Sequence, residues 1–260
     1  MDSYAAVLPA VKDRKAVDQL TRFNTYFRTS SADTAQLIET SFALRYQVYC
    51  LERQFEDPAE HANFQEKDEF DQHSVHSLIF YRPRAEAIGT VRIILADPEL
   101  ERLPIQKLLR EIGLNPFDYF KSENTAEISR FAISKEFRRR HSSHLLAAEK
   151  HLPERKTNLP CLGLIQCILR RSLELGISTW AAMMEPQLLR MLASMGIRFL
   201  PIGPLVSHHG LRQPSFCDVP KMLKVLAYEK PENWVVVTDD GELFYPPEVS
   251  PQLPICMGNR

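Results

Sequence analysis

The sequence predicts an α/β fold, a mixed sheet of six or seven strands with flanking helices. Short segments that alternate apolar and polar residues recur between longer segments of helical period. Their order is strand, helix, several strands suited to antiparallel pairing, then helix, strand, helix, strand. The composition agrees: 44% hydrophobic and 25% charged residues over 260 positions suit a globular chain with a core of ordinary size.

Residues 1–20 read as a loose or weakly helical lead-in, 21–204 as the main domain, and the proline-rich 205–260 as an extension packing on it. The alternation in 23–30 suits a half-buried strand. Ser31 or Asp33 is placed to cap a helix over 34–53, whose mixed apolar face holds Leu37, Phe42, Leu44, Val48 and Leu51. Residues 54–73, polar and acidic with Pro58, form a loop of functional size. Strands at 74–82 and 87–96 join through a short hairpin connection. A helix at 104–112 and a strand at 126–134 follow, then a basic turn leading towards a helix within 137–152. An amphipathic helix over 159–178 stops at Gly176, and 179–184 is a short buried strand. Pro186 and Gly196 punctuate a helix at 186–196. A strand over 197–204, a helix at 219–229 and a strand over 234–240 complete the set.

Bulk properties exclude some functions. The 32 basic and 33 acidic side chains nearly cancel, so no global field points to nucleic acid or membrane. There is no apolar run of membrane-spanning length and no secretory signal, which makes the cytoplasm the expected location. Cys50, Cys161, Cys167, Cys217 and Cys256 are odd in number and lack zinc spacing, as buried reduced thiols would be. His208, His209 and the other histidines show no metal spacing either, so no metal is expected.

The informative residues are charges set in apolar segments. Arg45 lies inside the first long helix, Asp68 and Asp71 bracket Phe70, and Arg92 interrupts an apolar strand. Glu127 and Arg130 are three apart, hence on opposite faces of a regular strand. A bulge between them would turn both towards one cleft. Taken singly, each charge is explained as well by a structural salt bridge.

The ordered set Arg45…Tyr49…Phe55, Asp68-x-x-Asp71, Gly89-x-x-Arg92 and Glu127-x-Ser129-Arg130-Phe131 resembles the acyl-homoserine-lactone (autoinducer) synthases. The resemblance covers residues 35–135 well and extends loosely to about 200. The N-acyl amino acid synthases look similar too, as do the bacterial PEP-CTERM/exosortase-associated acyltransferases, and the chain's length and proline-rich tail are closer to these two groups. The resemblance implies a fold like the Gcn5-related N-acetyltransferases. It implies no permanently bound cofactor, and an acyl-phosphopantetheine donor from acyl carrier protein or acyl-CoA. The acceptor would be the amine of an amino acid or similar small molecule. Acyl-homoserine-lactone signal synthesis is the neighbouring alternative within the same chemistry.

In that chemistry Glu127 is the candidate general base, with Arg130 and Phe131 beside it. Backbone N–H groups around Phe131 to Ile133 are candidate oxyanion donors. Arg45, Asp68, Asp71, Arg92 and Arg130 would form an ion-pair network over a pocket shared with Tyr49 and Phe55, where Asp68 or Asp71 could hold the acceptor's ammonium. Ile133, Arg138, Arg139, Arg140, Ser142 and Ser143 would hold the donor. The basic run 138–140 suits an acidic carrier protein or phosphate, although a solvated face reads the same way, and His141 and His144 stand beside it. Met183, Met184, Met191 and Met195 suit the core or an adaptable acyl tunnel, which Trp180 and Leu188 could also line. The stretch 137–143 contains no glycine. That feature keeps a non-catalytic acyl-binding or regulatory module open as a different class.

Overall fold

The computed structural model describes residues 14–96, 103–120, 122–139, 158–207 and 210–243. Helix α1 is Arg14–Tyr26, burying Ala16 and Phe23 seven positions apart on one face. The helix therefore crosses the boundary expected at residue 20, and it takes the first half of the strand expected over 23–30. Strand β1 is Phe27–Ser31. Helix α2, Ala35–Tyr46, is capped by neither Ser31 nor Asp33: the Thr34 side chain accepts from the Leu37 N–H. It widens into a π-type turn over Gln47–Glu52, where the Arg53 N–H reaches back five residues to the Val48 carbonyl. A string of 3₁₀ turns fills the acidic loop.

Strands β2 (Ser74–Tyr81) and β3 (Glu86–Leu95) form the expected hairpin. Helix α3 is Pro104–Glu111, strand β4 is Thr125–Ile133 and helix α4 is Leu159–Glu174. Then come β5 (Thr179–Met184), α5 (Pro186–Ser194), β6 (Leu200–Pro201), β7 (Val206–Ser207), β8 (Leu211–Asp218), α6 (Val219–Glu229) and α7 (Pro231–Val237). The sheet has eight strands in the order β1-β2-β3-β4-β5-β8-β6, with β7 pairing on β8.

Three expectations change here. The strand expected over 197–204 shrinks to the two residues of β6. The segment expected to pack on the domain from 205 onward supplies part of the sheet itself, since β8 pairs with β5, and α7 packs on α1 and α4. The valine run at 235–237 is helical rather than extended. Proline at the first position of α7 sets its start, and left-handed Asp239 and Asp240 follow its end. All of Trp234, Val235, Val236 and Val237 are buried. The small helical penalty of β-branched valine is outweighed by that burial.

Helix α4 carries the core against β1 to β3. It is not amphipathic: twelve of its sixteen residues are buried. Gly163 permits the approach, since a Cβ there would lie 2.9 Å from the Phe23 ring and closer still to Ile79. Gln166 ties the layers together by accepting from the Thr29 hydroxyl at 2.9 Å and donating to the Val236 carbonyl at 2.7 Å. Among the described residues Cys50, Cys161, Cys167 and Cys217 are buried free thiols, and no helix is long and apolar enough to cross a membrane.

Candidate active site

β4 pairs with its parallel neighbour β5 only from Thr125 to Ile128, opposite Thr179 to Ala182. Beyond that point the strands part. A cavity of about 650 Å³ opens between them, lined by residues 128–133 of β4 and by Met183 and Met184 of β5.

The bulge that would reunite Glu127 and Arg130 is present. Ser129 pairs with Arg92 and Ala132 with Thr90, so two residues of β4 face one of β3. Arg130 occupies the extra place with a left-handed φ of 50°. Glu127 and Arg130 consequently both line the cavity. Gly89 of the Gly-x-x-Arg motif sits two strand positions along, where a Cβ would come within 2.9 Å of the Ala132 carbonyl oxygen.

Three guanidiniums and three carboxylates close into a ring. Arg45 donates to Glu66 through Nε at 2.5 Å and to both oxygens of Asp71 at 2.6 and 3.1 Å. Arg92 donates to Asp71 at 2.8 Å, to Asp68 at 2.5 Å and through Nε to the Ser129 hydroxyl at 2.8 Å. Arg130 returns to Asp68 at 3.0 Å and grips Glu66 at 2.7 to 3.1 Å. Helix α2 and strands β3 and β4 supply the cations, and one loop supplies the anions, so the ring pins residues 66–71 against the sheet. Arg45 and Glu66 are shut off from solvent at 0% and 1% exposure. Burial alone would push Glu66 up, but hydrogen bonds from Arg130 and Arg45 outweigh it and hold its carboxyl at about 2. Asp71 is likewise driven well below the carboxylate range by Arg45 and Arg92 against the cost of burial.

Glu127 experiences the opposite balance. It is buried, and its Oε2 accepts one hydrogen bond, from the Ile105 N–H at the start of α3, at 2.7 Å. Burial dominates and raises its carboxyl to about 7, with the Ile105 N–H and Arg92 opposing. Beside it rises an aromatic wall. The Arg130 guanidinium lies 5.3 Å from the Tyr49 ring, and Tyr49 and Phe55 are 6.3 Å apart.

Of the residues expected at the site, Tyr49, Phe55, Asp68, Arg92, Glu127, Arg130, Phe131, Ile133 and Arg138 line the cavity. Arg45 and Asp71 stand behind it in the ring; Asp71 does not line the cavity and its side chain is 9% exposed, so it is not placed to meet an ammonium. Arg139 is described but does not line the cavity, whereas Arg140, His141, Ser142, Ser143, His144, His208 and His209 lie outside the described residues. Leu188 and Met191 line it with Met183 and Met184. Trp180 and Met195 do not: both are core residues, and the Trp180 indole N–H donates to Ser172 at 2.8 Å. Sequence reasoning missed Glu66, His61, Arg53, Glu185 and Arg212, all at the cavity. Among the described residues no cluster of histidine, cysteine and carboxylates could hold a metal.

The family model of the acetyltransferase (GNAT) domain matches residues 44–148, the segment from α2 through β4 and beyond. Comparison with curated proteins gave no match. Among solved structures, TofI in a ternary complex with an inhibitor and MTA superposes with a TM-score of 0.56 at 17% identity, covering 78% of this chain and 95% of that one. MesI, a CoA-dependent acyl-homoserine lactone synthase, gives 0.53 at 17% identity over 85% and 97% of the two chains. FeeM, an N-acyl amino acid synthase from uncultured soil microbes, gives 0.51 at 15% identity over 78% and 97%. The chain has the GNAT fold.

Proposed function

We propose that this protein is an N-acyltransferase that moves a fatty acyl group from a phosphopantetheine thioester to the amine of an amino acid or similar small molecule. The observation that carries the proposal is Glu127, a buried carboxyl held at about 7 on the wall of a cavity opening where β4 and β5 separate. A carboxyl so tuned is half ionised at neutral pH and suits proton removal from an amine. The gap between the strands suits a thin pantetheine arm, because among the described residues the β5-facing edge of β4 beyond Ile128 has no strand partner.

In this mechanism Glu127 takes a proton from the acceptor amine, directly or through water. The nitrogen lone pair attacks the thioester carbonyl carbon and the carbonyl π pair moves to oxygen. Backbone N–H groups between Phe131 and Ile133 stabilise that oxyanion. Collapse reforms the carbonyl and breaks the carbon–sulfur bond; the nitrogen sheds its second proton to become the neutral amide, and the departing thiolate takes that proton up. Asp68, the ring carboxylate with the most exposed side chain at 24%, is left to orient the incoming ammonium. The apolar chain lies along Met183, Met184, Leu188 and Met191. Lys135 and Arg138 at the mouth suit the donor's phosphate or an acidic carrier.

FeeM and MesI, both close to this fold, are named for N-acyl amino acid and acyl-homoserine lactone synthesis, and MesI for a CoA donor. The test is incubation with dodecanoyl-CoA or dodecanoyl acyl carrier protein, a pool of amino acids and S-adenosylmethionine, followed by mass spectrometry. The expected result is free thiol together with one acylated amine, whose mass separates an amino acid amide from a lactone. Acyl-chain binding without thiol release would instead establish a non-catalytic module.

A further inference from the structure

The cavity carries a second group of charges, and unlike the ring it does not balance. Arg212 on β8 and Arg53 after the π-type turn share one carboxylate, Glu185, at the N-cap of α5. The contacts are long: 3.3 Å from Arg212 and 3.6 Å from Arg53, against 2.5 to 3.1 Å around the ring. The other bond of Arg212 Nη1 goes to the Leu211 carbonyl, also at 3.3 Å. Among the described residues, Nε and Nη2 of Arg212 have no hydrogen-bond partner.

Both guanidiniums sit on Phe55, with Arg212 5.1 Å and Arg53 5.8 Å from the ring centroid. Phe55 thereby links Arg212 to Tyr49 and Arg130 in one continuous wall. The Arg212 side chain is only 12% exposed, so its charge is largely removed from water without matched carboxylates. A guanidinium so placed has a planar pair of donors ready for a bidentate oxyanion.

We propose that Arg212, assisted by Arg53, binds the carboxylate of the acceptor, which makes the acceptor a free α-amino acid rather than a simple amine. This rests on the N-acyltransferase function proposed above. The placement supports it. Arg212 adjoins the aromatic wall on which the acceptor would lie, while the cations suited to donor phosphates, Lys135 and Arg138, follow the end of β4. Arg212 and Arg53 would then hold the carboxylate at one end of the acceptor, with its amine turned towards Glu127.

Two measurements test it. With dodecanoyl-CoA as donor, wild type and Arg212→Gln are compared on a subsaturating pool of amino acids and on the matched pool of amino acid amides. The variant is expected to lose tenfold or more of its rate on the acids, through KM, and less than twofold on the amides. Arg212→Lys should recover part of the loss. Equal losses in both pools would assign Arg212 to the donor or to folding, and no loss would remove it from the site; either overturns the proposal. The second measurement needs no turnover: calorimetric titration with N-dodecanoylglycine and N-dodecanoylglycinamide. Wild type should favour the acid tenfold or more and Arg212→Gln should not. If wild type shows no such preference, the carboxylate site is refuted whether or not the protein is an enzyme. If the preference is present but turnover is absent, the site stands and the catalytic function falls.

Discussion

Replacing Glu127 with Gln separates the two consequences of burying a carboxyl beside a reaction cavity. In the fold the group titrates at about 7, against an ordinary value of 4.5. Between those values the folded state binds more protons than the unfolded state, so stability falls as pH rises from about 4.5 to 7 and stays reduced above. A displacement of this size corresponds to roughly 3 kcal/mol at 1.36 kcal/mol per unit. Glutamine has no charge to desolvate, and its carbonyl can still accept from the Ile105 N–H. The variant should therefore be more stable than wild type at pH 8, by up to about 3 kcal/mol, and equal to it at pH 4. Urea titration at the two pH values measures this. Activity should move the other way, with kcat falling by about 10²–10⁴ for loss of a general base. Thiol release against pH should show a break near 7 in wild type, superimposed on the acceptor's own titration, and no such break in the variant. A variant that keeps wild-type turnover, or that keeps the break, would refute the role given to Glu127.

Glu66→Gln leaves two buried guanidiniums short of a counter-charge and is expected to cost about 3–5 kcal/mol in denaturant titration. Because the folded pKa of Glu66 is lowered to about 2, its contribution is complete above about 4.5 and is lost as pH falls towards 2. Wild type should consequently lose stability over that window more steeply than Glu66→Gln, as followed by circular dichroism. Gly163→Ala, whose methyl meets Phe23 and Ile79, should cost about 1–3 kcal/mol through overpacking, read as a lowered Tm. Met184→Trp fills part of the apolar lining and should shorten the longest acyl chain accepted, as seen when saturated donors of increasing length are compared by mass spectrometry.

Much of the ring was legible because a charge is conspicuous in an apolar segment. Arg45 stands on a helix face and Arg92 within a strand, and each needs a partner once buried. Even the parity conflict between Glu127 and Arg130 pointed to the bulge that the structure contains. Glu66 was not legible, because it lies in a polar loop where carboxylates are ordinary and only the tertiary fold buries it. Arg53, Glu185 and Arg212 escaped notice because they are spread over three segments that only the tertiary fold brings together. The valine-rich α7 misled because local propensity favours a strand, whereas contacts with α1 and α4 decide the outcome. Trp180 could be read from the sequence as lining an acyl tunnel because a period-two pattern identifies a strand's two faces but not which of them meets a cavity.

The position of β8 bears on how the chain is made. The strand leaves a ribosome after β5 and β6, yet it is what joins them. Until it emerges, β5 has an open edge and the apolar faces that α6 and α7 later shield remain uncovered. Nascent chains halted before residue 211 should accordingly stick to one another or recruit chaperones, while a chain released beyond α7 can complete its sheet.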